Sequence, residues 1–278
     1  MNIGIAGLGL IGGSMARAVT RTGGHNIFGS DRSPDTVSAA GRAGVISRLL
    51  TDETIPFCDI ILIALYPRAA VDFVKEHATH FRRDAIVIDL CGVKGSVCPE
   101  CFELAKQHGF TFIGGHPMAG RELFGFVNSQ ADLFDGMSMI LVPPDGLDPE
   151  KLHTAEEFFR SLGFGRITLS TMEHHDRVIA YTSQLAHVLS NAYVQSDTAA
   201  DHAGFSAGSF KDLTRVARMK VDMWTELFLE NREALTAELH DLIERLNAFE
   251  KAISVGDADT LTAMLERGVQ MKEASENV

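Results

Sequence analysis

The chain has 278 residues, 45% hydrophobic and 22% charged, enough for a sizeable core and two domains of ordinary size. With 25 Lys and Arg against 37 Asp and Glu the formal net charge is −12, which argues against nucleic acid as a partner and requires any anionic ligand to meet a local cluster of cations. No apolar run approaches the roughly 20 residues that span a bilayer, no charged leader precedes the first apolar stretch, and the four cysteines need not pair, so a cytoplasmic chain without membrane contact is expected.

The first fourteen residues, MNIGIAGLGLIGGS, read as a short buried strand (Ile3, Ile5, Ala6), a tight turn and a helix running to about Thr22. In the turn Gly7-Leu8-Gly9-Leu10-Ile11-Gly12, Gly7 allows the sharp bend, Gly9 lets the backbone approach a pyrophosphate, and Gly12 lets helix pack closely on strand. The helix N-terminus offers free N–H groups and a partial positive charge to the phosphates. A second apolar stretch, residues 26–30, ends at Asp31, 19 residues beyond Gly12, where a dinucleotide fold carries the acid that binds the adenosine ribose hydroxyls. A carboxylate there repels a 2′-phosphate, so NAD is expected in preference to NADP, although Arg32 offers a guanidinium at the same edge.

Ser33 and Pro34 then open a helix to about Ala43, as N-cap and first residue. Residues 58–65 are apolar almost throughout, as in a parallel strand buried on both faces, and Leu65 at its end is counted among the expected cofactor contacts. Tyr66-Pro67 turns the chain into a helix to about Thr79, and residues 85–90 form a further buried strand. A helix over 99–108, strands over 110–113 and 139–142, a helix over 149–161 and a last strand over 166–169 continue the alternation. The class is therefore α/β, with an N-terminal Rossmann-type, doubly wound parallel sheet over residues 1–170.

From Thr171 the apolar period changes to three and four, and residues 171–278 read as an all-α domain. Its expected pieces are a long helix over 172–195, a flexible joint at 204–208, and helices over 211–218, 222 to about 253, and 257–271. This half is apolar nearly all round, so it is expected to find its cover in a second subunit, as a homodimer. Cys98 and Cys101 form a CxxC without a second ligand pair and read as reduced thiols packing a surface helix. His174-His175-Asp176 reads as a helix start, because adjacent histidines on a helix point to different sides; no metal is expected.

Ligands of open parallel sheets bind beyond the carboxyl ends of the strands. Three loops are expected there: the glycine turn, residues 90–95, and residues 114–120, where small residues frame His116 directly after a strand. An imidazole so held can accept the proton of a hydroxyl group that the dinucleotide oxidises. Ser183 and His187 are four apart and share a helix face, which either lines the cleft or packs in the core. Lys211 and Arg215, also four apart, supply the required cations, Arg215 as the planar fork that matches a carboxylate.

The stretches GLGLIGGS, DLCGVKG, GGHPMAGRELFGF, EHHDRVIAYTSQLAH and SFKDLTRVARMKVDMWTELFLEN, in that order from Gly7 to Asn231, together resemble the prephenate dehydrogenase family, the NAD(P)-dependent enzymes that make the tyrosine precursor. The resemblance implies a Rossmann domain followed by a helical dimerisation domain, with no chorismate mutase segment before and no regulatory domain after. It implies a small dianionic cyclohexadienyl substrate, prephenate, undergoing oxidative decarboxylation to 4-hydroxyphenylpyruvate. By position it makes His116 the catalytic histidine that hydrogen-bonds the ring hydroxyl, Arg215 the arginine that holds a substrate carboxylate, and His187 a second histidine of the pocket. Two positions depart: the family often has a serine where Gly92 stands, helping to polarise the hydroxyl, and often a histidine where Gln184 stands. The alternatives are an arogenate dehydrogenase of the same fold, a non-catalytic NAD-sensing dimer favoured by the missing hydroxyl at Gly92, and a 3-hydroxyacid dehydrogenase or imine reductase, against which the HPMAG loop and the Arg215 segment argue.

Overall fold

A computed structural model describes residues 1–120 and 123–276; Arg121 and Glu122, within the GGHPMAGRELFGF stretch, lie outside the described residues. The strands are β1 (Asn2–Ala6), β2 (Asn26–Ser30), β3 (Arg48–Leu49), β4 (Ile60–Ile63), β5 (Ile86–Asp89), β6 (Thr111–Pro117), β7 (Ser138–Val142) and β8 (Arg166–Leu169). They form one sheet in the order β3-β2-β1-β4-β5-β6-β7-β8. Up to β6 every pairing is parallel, and the 3-2-1-4-5-6 order is that of dinucleotide-binding sheets, with its switch point between β1 and β4. The expected doubly wound sheet is thus parallel over most of its width; at the far edge β7 runs antiparallel to β6 and β8 runs parallel to β7.

Helices α1 (Leu10–Thr22), α2 (Pro34–Arg42), α3 (Pro67–His77), α4 (Cys98–His108) and α5 (Pro149–Ser161) cover the sheet. Strand alternation divides the core in two. Ile3, Ile5, Ile60, Leu62, Ile86 and Ile88 face Met15 and Val19 of α1 and Phe158 and Phe159 of α5. Ala6, Ile61, Ile63, Val87 and Phe112 face Ala70, Val71 and Val74 of α3 and Cys98 and Cys101 of α4. Burial on both faces is why these strands are apolar at consecutive positions, each buried Ile or Leu contributing about 1.5–3 kcal/mol. The four cysteines are free and buried. Loss of solvent pushes the Cys58 thiol up to about 12 and raises those of Cys91, Cys98 and Cys101, so the thiols stay protonated and serve as packing.

Beyond β8 the chain is helical: α6 (Met172–Ile179), a π turn (Ala180–Gln184), α7 (Leu185–Tyr193), α8 (Gly208–Thr214), a 3₁₀ turn (Arg215–Ala217), α9 (Val221–Glu230), α10 (Arg232–Val255) and α11 (Ala258–Glu276). Three expected helices are therefore broken, the one over 211–218 giving way at Arg215 to the 3₁₀ turn. The one over 172–195 widens into the π turn, and the one over 222–253 stops at Asn231, whose Nδ2 donates to the Asp176 carbonyl (2.9 Å) and to Gln184 Oε1 (2.8 Å). The tertiary bonds of one side chain outweigh the local helical preference there. The two-residue strand β3 was too short to show a period.

The chain divides by contact into two compact units, Met1–Asn231, which holds the sheet and α1–α9, and Arg232–Val278, which holds α10 and α11. Within the second unit, Asp257 follows the turn at Gly256 and its Oδ1 accepts from Thr260 N (3.0 Å), which holds its carboxyl below the usual range. Among the described residues no helix is long and apolar enough to cross a membrane.

Candidate active site

The first wall of the site is the glycine turn after β1. Gly7 has φ +86°, a left-handed conformation that favours glycine, and its N–H donates to Ser30 O (2.8 Å), tying β1 to β2. At Gly12 an added Cβ would lie 1.8 Å from the Gly7 carbonyl oxygen, so only glycine lets α1 start this close to the strand. Gly9 is the opposite case: an added Cβ meets nothing within 4 Å, and as the N-cap of α1 it provides no side-chain cap, so the helix end is left open to a ligand. Asp31 stands at the end of β2, its two oxygens accepting from Leu8 N and Ser33 N (both 2.9 Å), which holds the carboxylate in place. The exposed Arg32 follows it.

The second wall centres on His116. It lies on β6 rather than in a loop after a strand, because Gly114 to Pro117 pair with Val142 to Met139 of β7. The glycines that suggested a turn serve close packing instead: an added Cβ at Gly114 would lie 2.5 Å from Cys98 Sγ, and one at Gly115 2.5 Å from Asp89 O. His116 Nδ1 is 2.9 Å from His175 Nε2, and His175 Nδ1 is 2.7 Å from Asp176 Oδ1. Asp176 in turn accepts from the backbone N–H groups of Lys94 (2.8 Å) and Gly95 (2.7 Å). Its carboxylate is an acceptor only, so His175 donates through Nδ1 and accepts at Nε2, and His116 donates through Nδ1. That leaves the His116 Nε2 lone pair as the acceptor, on the side of Gly92, where a Cβ would stand 3.8 Å away. Burial, with His175 and Lys94 nearby, pushes the His116 pKa well below the usual histidine value. Burial also lowers that of His175, against the opposing pull of Asp176. Both rings are therefore neutral at neutral pH, and the arrangement can take up a proton at one defined atom.

Beneath this relay the wholly buried Lys94 donates to the Asp89 carboxylate and to Gly115 O (2.6 Å). Burial is the largest single influence and opposes its charge, but Asp89 and the neighbouring Cys98 and Cys91 act together against it, and the balance leaves the ammonium above its usual pKa. Asp89 also accepts from Cys91 N (3.0 Å) and Gly115 N (3.2 Å), so one buried pair fixes both the loop after β5 and the strand that carries His116.

The third wall is helical. The N–H of Arg68 at the start of α3 donates to Glu226 (2.9 Å) and its guanidinium to Glu230 (2.9 Å), which clamps α9 across the N-terminus of α3, where carboxylates are favoured. Trp224 of α9 stacks on His187 with ring centroids 3.7 Å apart, and His187 Nδ1 donates to Ser183 O (2.9 Å) inside the π turn. The buried Gln184 donates to Leu227 O (3.2 Å).

These walls enclose a cavity of about 540 Å³. Of the residues singled out in the sequence, Gly9, Leu10, Ile11, Leu65, Gly92, His116, Ser183, His187 and Arg215 line it. Gly7, Leu8 and Gly12 are buried behind it in the turn, and Asp31 and Arg32 lie beyond it at the end of β2. Lys211 is exposed on α8 and does not line the cavity. The helix ends at Thr214 and Arg215 opens a 3₁₀ turn, so the four-residue spacing does not carry both cations to one place. Arg218 and Lys220 line the cavity instead, the latter with Nζ 5.2 Å from the Tyr66 ring centroid. His175 and Asp176, read from sequence as a helix start, are the partners that sequence reasoning missed. Thr171 does cap that helix, its Oγ1 accepting from His174 N, but of the two histidines only His175 turns inward.

A parallel sheet with an open helix N-terminus at its switch point, facing a buried histidine relay, defines a nucleotide-binding oxidoreductase. Residues 15–168 match the family model described as prephenate dehydrogenase, nucleotide-binding domain, and residues 171–267 the one described as prephenate dehydrogenase, dimerization domain. The chain belongs to the prephenate dehydrogenase family. It is 32% identical over 271 residues to a cyclohexadienyl dehydrogenase of Zymomonas mobilis, covering 94% of this chain and 91% of that one. The crystal structure of prephenate dehydrogenase from A. aeolicus in complex with hydroxyphenyl propionate and NAD+ matches with a TM-score of 0.86 at 28% identity, over 99% of this chain and 98% of the other. That of Synechocystis arogenate dehydrogenase matches with a TM-score of 0.83 at 26% identity, over 99% and 100%.

Proposed function

We propose that this chain oxidatively decarboxylates prephenate to 4-hydroxyphenylpyruvate with NAD as the oxidant. The observation that carries the reading is the His116–His175–Asp176 relay, which presents an unprotonated Nε2 beside a cavity that also holds the glycine turn and Arg215. The open space at Gly9 and the uncapped start of α1 fit a pyrophosphate. Residues Gly7 to Gly12 would hold the dinucleotide with Leu65, Asp31 would take the ribose hydroxyls, and the fixed Asp31 carboxylate disfavours the 2′-phosphate of NADP despite Arg32. NAD, when bound, supplies the acceptor for the hydride of the hydroxyl-bearing ring carbon.

His116 Nε2 accepts the ring hydroxyl proton, and His175 and Asp176 hold the imidazole in the form that can do so. Arg215 binds one substrate carboxylate as a planar fork, and Arg218 and Lys220 meet the other. Loss of the ring carboxylate as CO2 makes the ring aromatic, so the residues need provide only placement, a base and anion recognition. Ser183 and His187 complete the wall, His187 held by Trp224. In place of a serine hydroxyl, Gly92 leaves space for water beside His116 Nε2.

Similarity to a cyclohexadienyl dehydrogenase and to an arogenate dehydrogenase favours a second reading, in which arogenate is also, or instead, oxidised by the same residues. Residues 1–170 form the nucleotide-binding domain in this reading, and residues 171–278 form the homodimer. The match to the dimerization domain supports the dimer, as do the exposed Leu246, Ile253, Val255, Leu265 and Val269. The test is dinucleotide reduction followed by near-ultraviolet absorbance, with prephenate and arogenate each offered with NAD and NADP. Prephenate with NAD is expected to be the fastest pair, and His116→Asn to lose at least about a hundredfold in kcat while still binding NAD. No reduction of either dinucleotide with either substrate would overturn the proposal.

A further inference from the structure

Away from the cavity, the loop after β3 and the far end of α3 bring Asp52, His77 and His80 together, and among the described residues their ligand atoms all lie within 4.8 Å of one another. Pro67 at the start of α3 lines the cavity, and His77 ends the helix about 15 Å further along, so this cluster takes no part in the site above. Each imidazole turns its Nδ1 toward the same carboxylate: His77 Nδ1 lies 2.7 Å and His80 Nδ1 3.6 Å from Asp52 Oδ1. The second distance is too long for a hydrogen bond, and His80 Nδ1 is a buried atom without a hydrogen-bond partner. Tetrahedral bonds of about 2.0–2.1 Å would set neighbouring ligand atoms about 3.3 Å apart, close to the His80 separation.

The three side chains are held by their own surroundings. Phe73 packs on the His77 ring at 4.5 Å between centroids, and the His80 N–H donates to His77 O (2.8 Å). The turn carrying Asp52 is closed by Thr54, whose Oγ1 accepts from Thr51 N (2.8 Å) and donates to Leu49 O (2.8 Å). Asp52 itself is 58% exposed at the side chain, so it has room to open the 2.7 Å contact by the half ångström a shared cation needs and leaves a fourth position to water. Two imidazoles and one carboxylate suit a borderline divalent ion of the zinc, cobalt or nickel kind rather than the all-oxygen preference of magnesium or calcium.

We propose that Asp52, His77 and His80 form a binding site for such a transition-metal ion, which clamps the end of α3 to the loop that follows β3. The test is titration of the purified full chain with CoCl2, read by visible absorption, and thermal unfolding with and without ZnCl2. One cobalt per chain is expected, with the intense bands of a tetrahedral site and a dissociation constant on the order of micromolar. ZnCl2 is expected to raise Tm in a concentration-dependent way. His80→Ala and Asp52→Asn, checked for native circular dichroism, are each expected to weaken cobalt binding at least tenfold and abolish the Tm rise, while His175→Gln leaves both unchanged. Should His80→Ala fail to fold, Asp52→Asn decides. Absence of binding up to millimolar cobalt, or equal binding by folded Asp52→Asn, would overturn the proposal.

Discussion

The relay behind His116 makes a quantitative prediction at His175, which does not line the cavity. In His175→Leu the His116 Nδ1 loses its acceptor at 2.9 Å. The imidazole then either keeps a buried, unpaired N–H, at a cost of about 1–3 kcal/mol, or moves the proton to Nε2, where it can no longer accept from a substrate. General-base catalysis is worth about 10²–10⁴-fold, or about 2.7–5.5 kcal/mol, so kcat is expected to fall by roughly a hundredfold or more. KM for the dinucleotide should hold, because the glycine turn is untouched. His175→Gln supplies an amide oxygen that can still accept from His116 Nδ1, and is expected to recover about tenfold over the leucine variant. Steady-state dinucleotide reduction by both variants, with circular dichroism to confirm folding, provides the assay. A kcat within about threefold of the parent in folded His175→Leu would refute the role assigned to the relay.

Arg215→Ala should raise KM for the anionic substrate by about 10–150-fold, the equivalent of about 1.5–3 kcal/mol for hydrogen bonds to a charged group, with kcat less affected; an unchanged KM in steady-state kinetics would remove Arg215 from substrate binding. Lys94→Met leaves the wholly buried Asp89 carboxylate without its cation and is expected to cost about 3–5 kcal/mol in denaturant unfolding, part of which Asp89→Asn in the same chain should restore. His116 and His175 titrate below the usual histidine value when folded, so the unfolded chain binds more protons as pH falls below about 6.5. Stability should therefore be full above that pH and decline between about pH 6.5 and 5, by up to about 1.4 kcal/mol per pH unit for each histidine. A Tm profile that stays flat across that range would contradict the burial of two neutral rings.

Local stereochemistry made part of this protein legible. The turn after β1 is confined to six residues because the φ of Gly7 and the contact of Gly12 with the Gly7 carbonyl are short-range constraints, and they mark themselves as glycines. Strands buried on both faces are apolar at consecutive positions, which made β1, β4 and β5 readable, and Ser33-Pro34 announces its helix through a cap that depends on neighbours only. His116 was identifiable as the imidazole in a run of small residues, although its glycines suggested a loop. They are glycines because Asp89 and Cys98 crowd against them, and both come from other parts of the chain.

What joins His116 to its partners had no sequence signal, since His175 lies 59 residues away and its helix start looks like any other. The same holds for the stop at Asn231, set by bonds to Asp176 and Gln184, and for the choice of Arg218 and Lys220 over Lys211 at the cavity wall. The sequence by itself determined the elements whose causes lie within a few residues, and with them the nucleotide-binding sheet and the candidate base. Only the tertiary structure decided which side chains meet, because a relay, a cavity wall or a cluster such as Asp52, His77 and His80 is defined by distances between segments that local spacing does not encode.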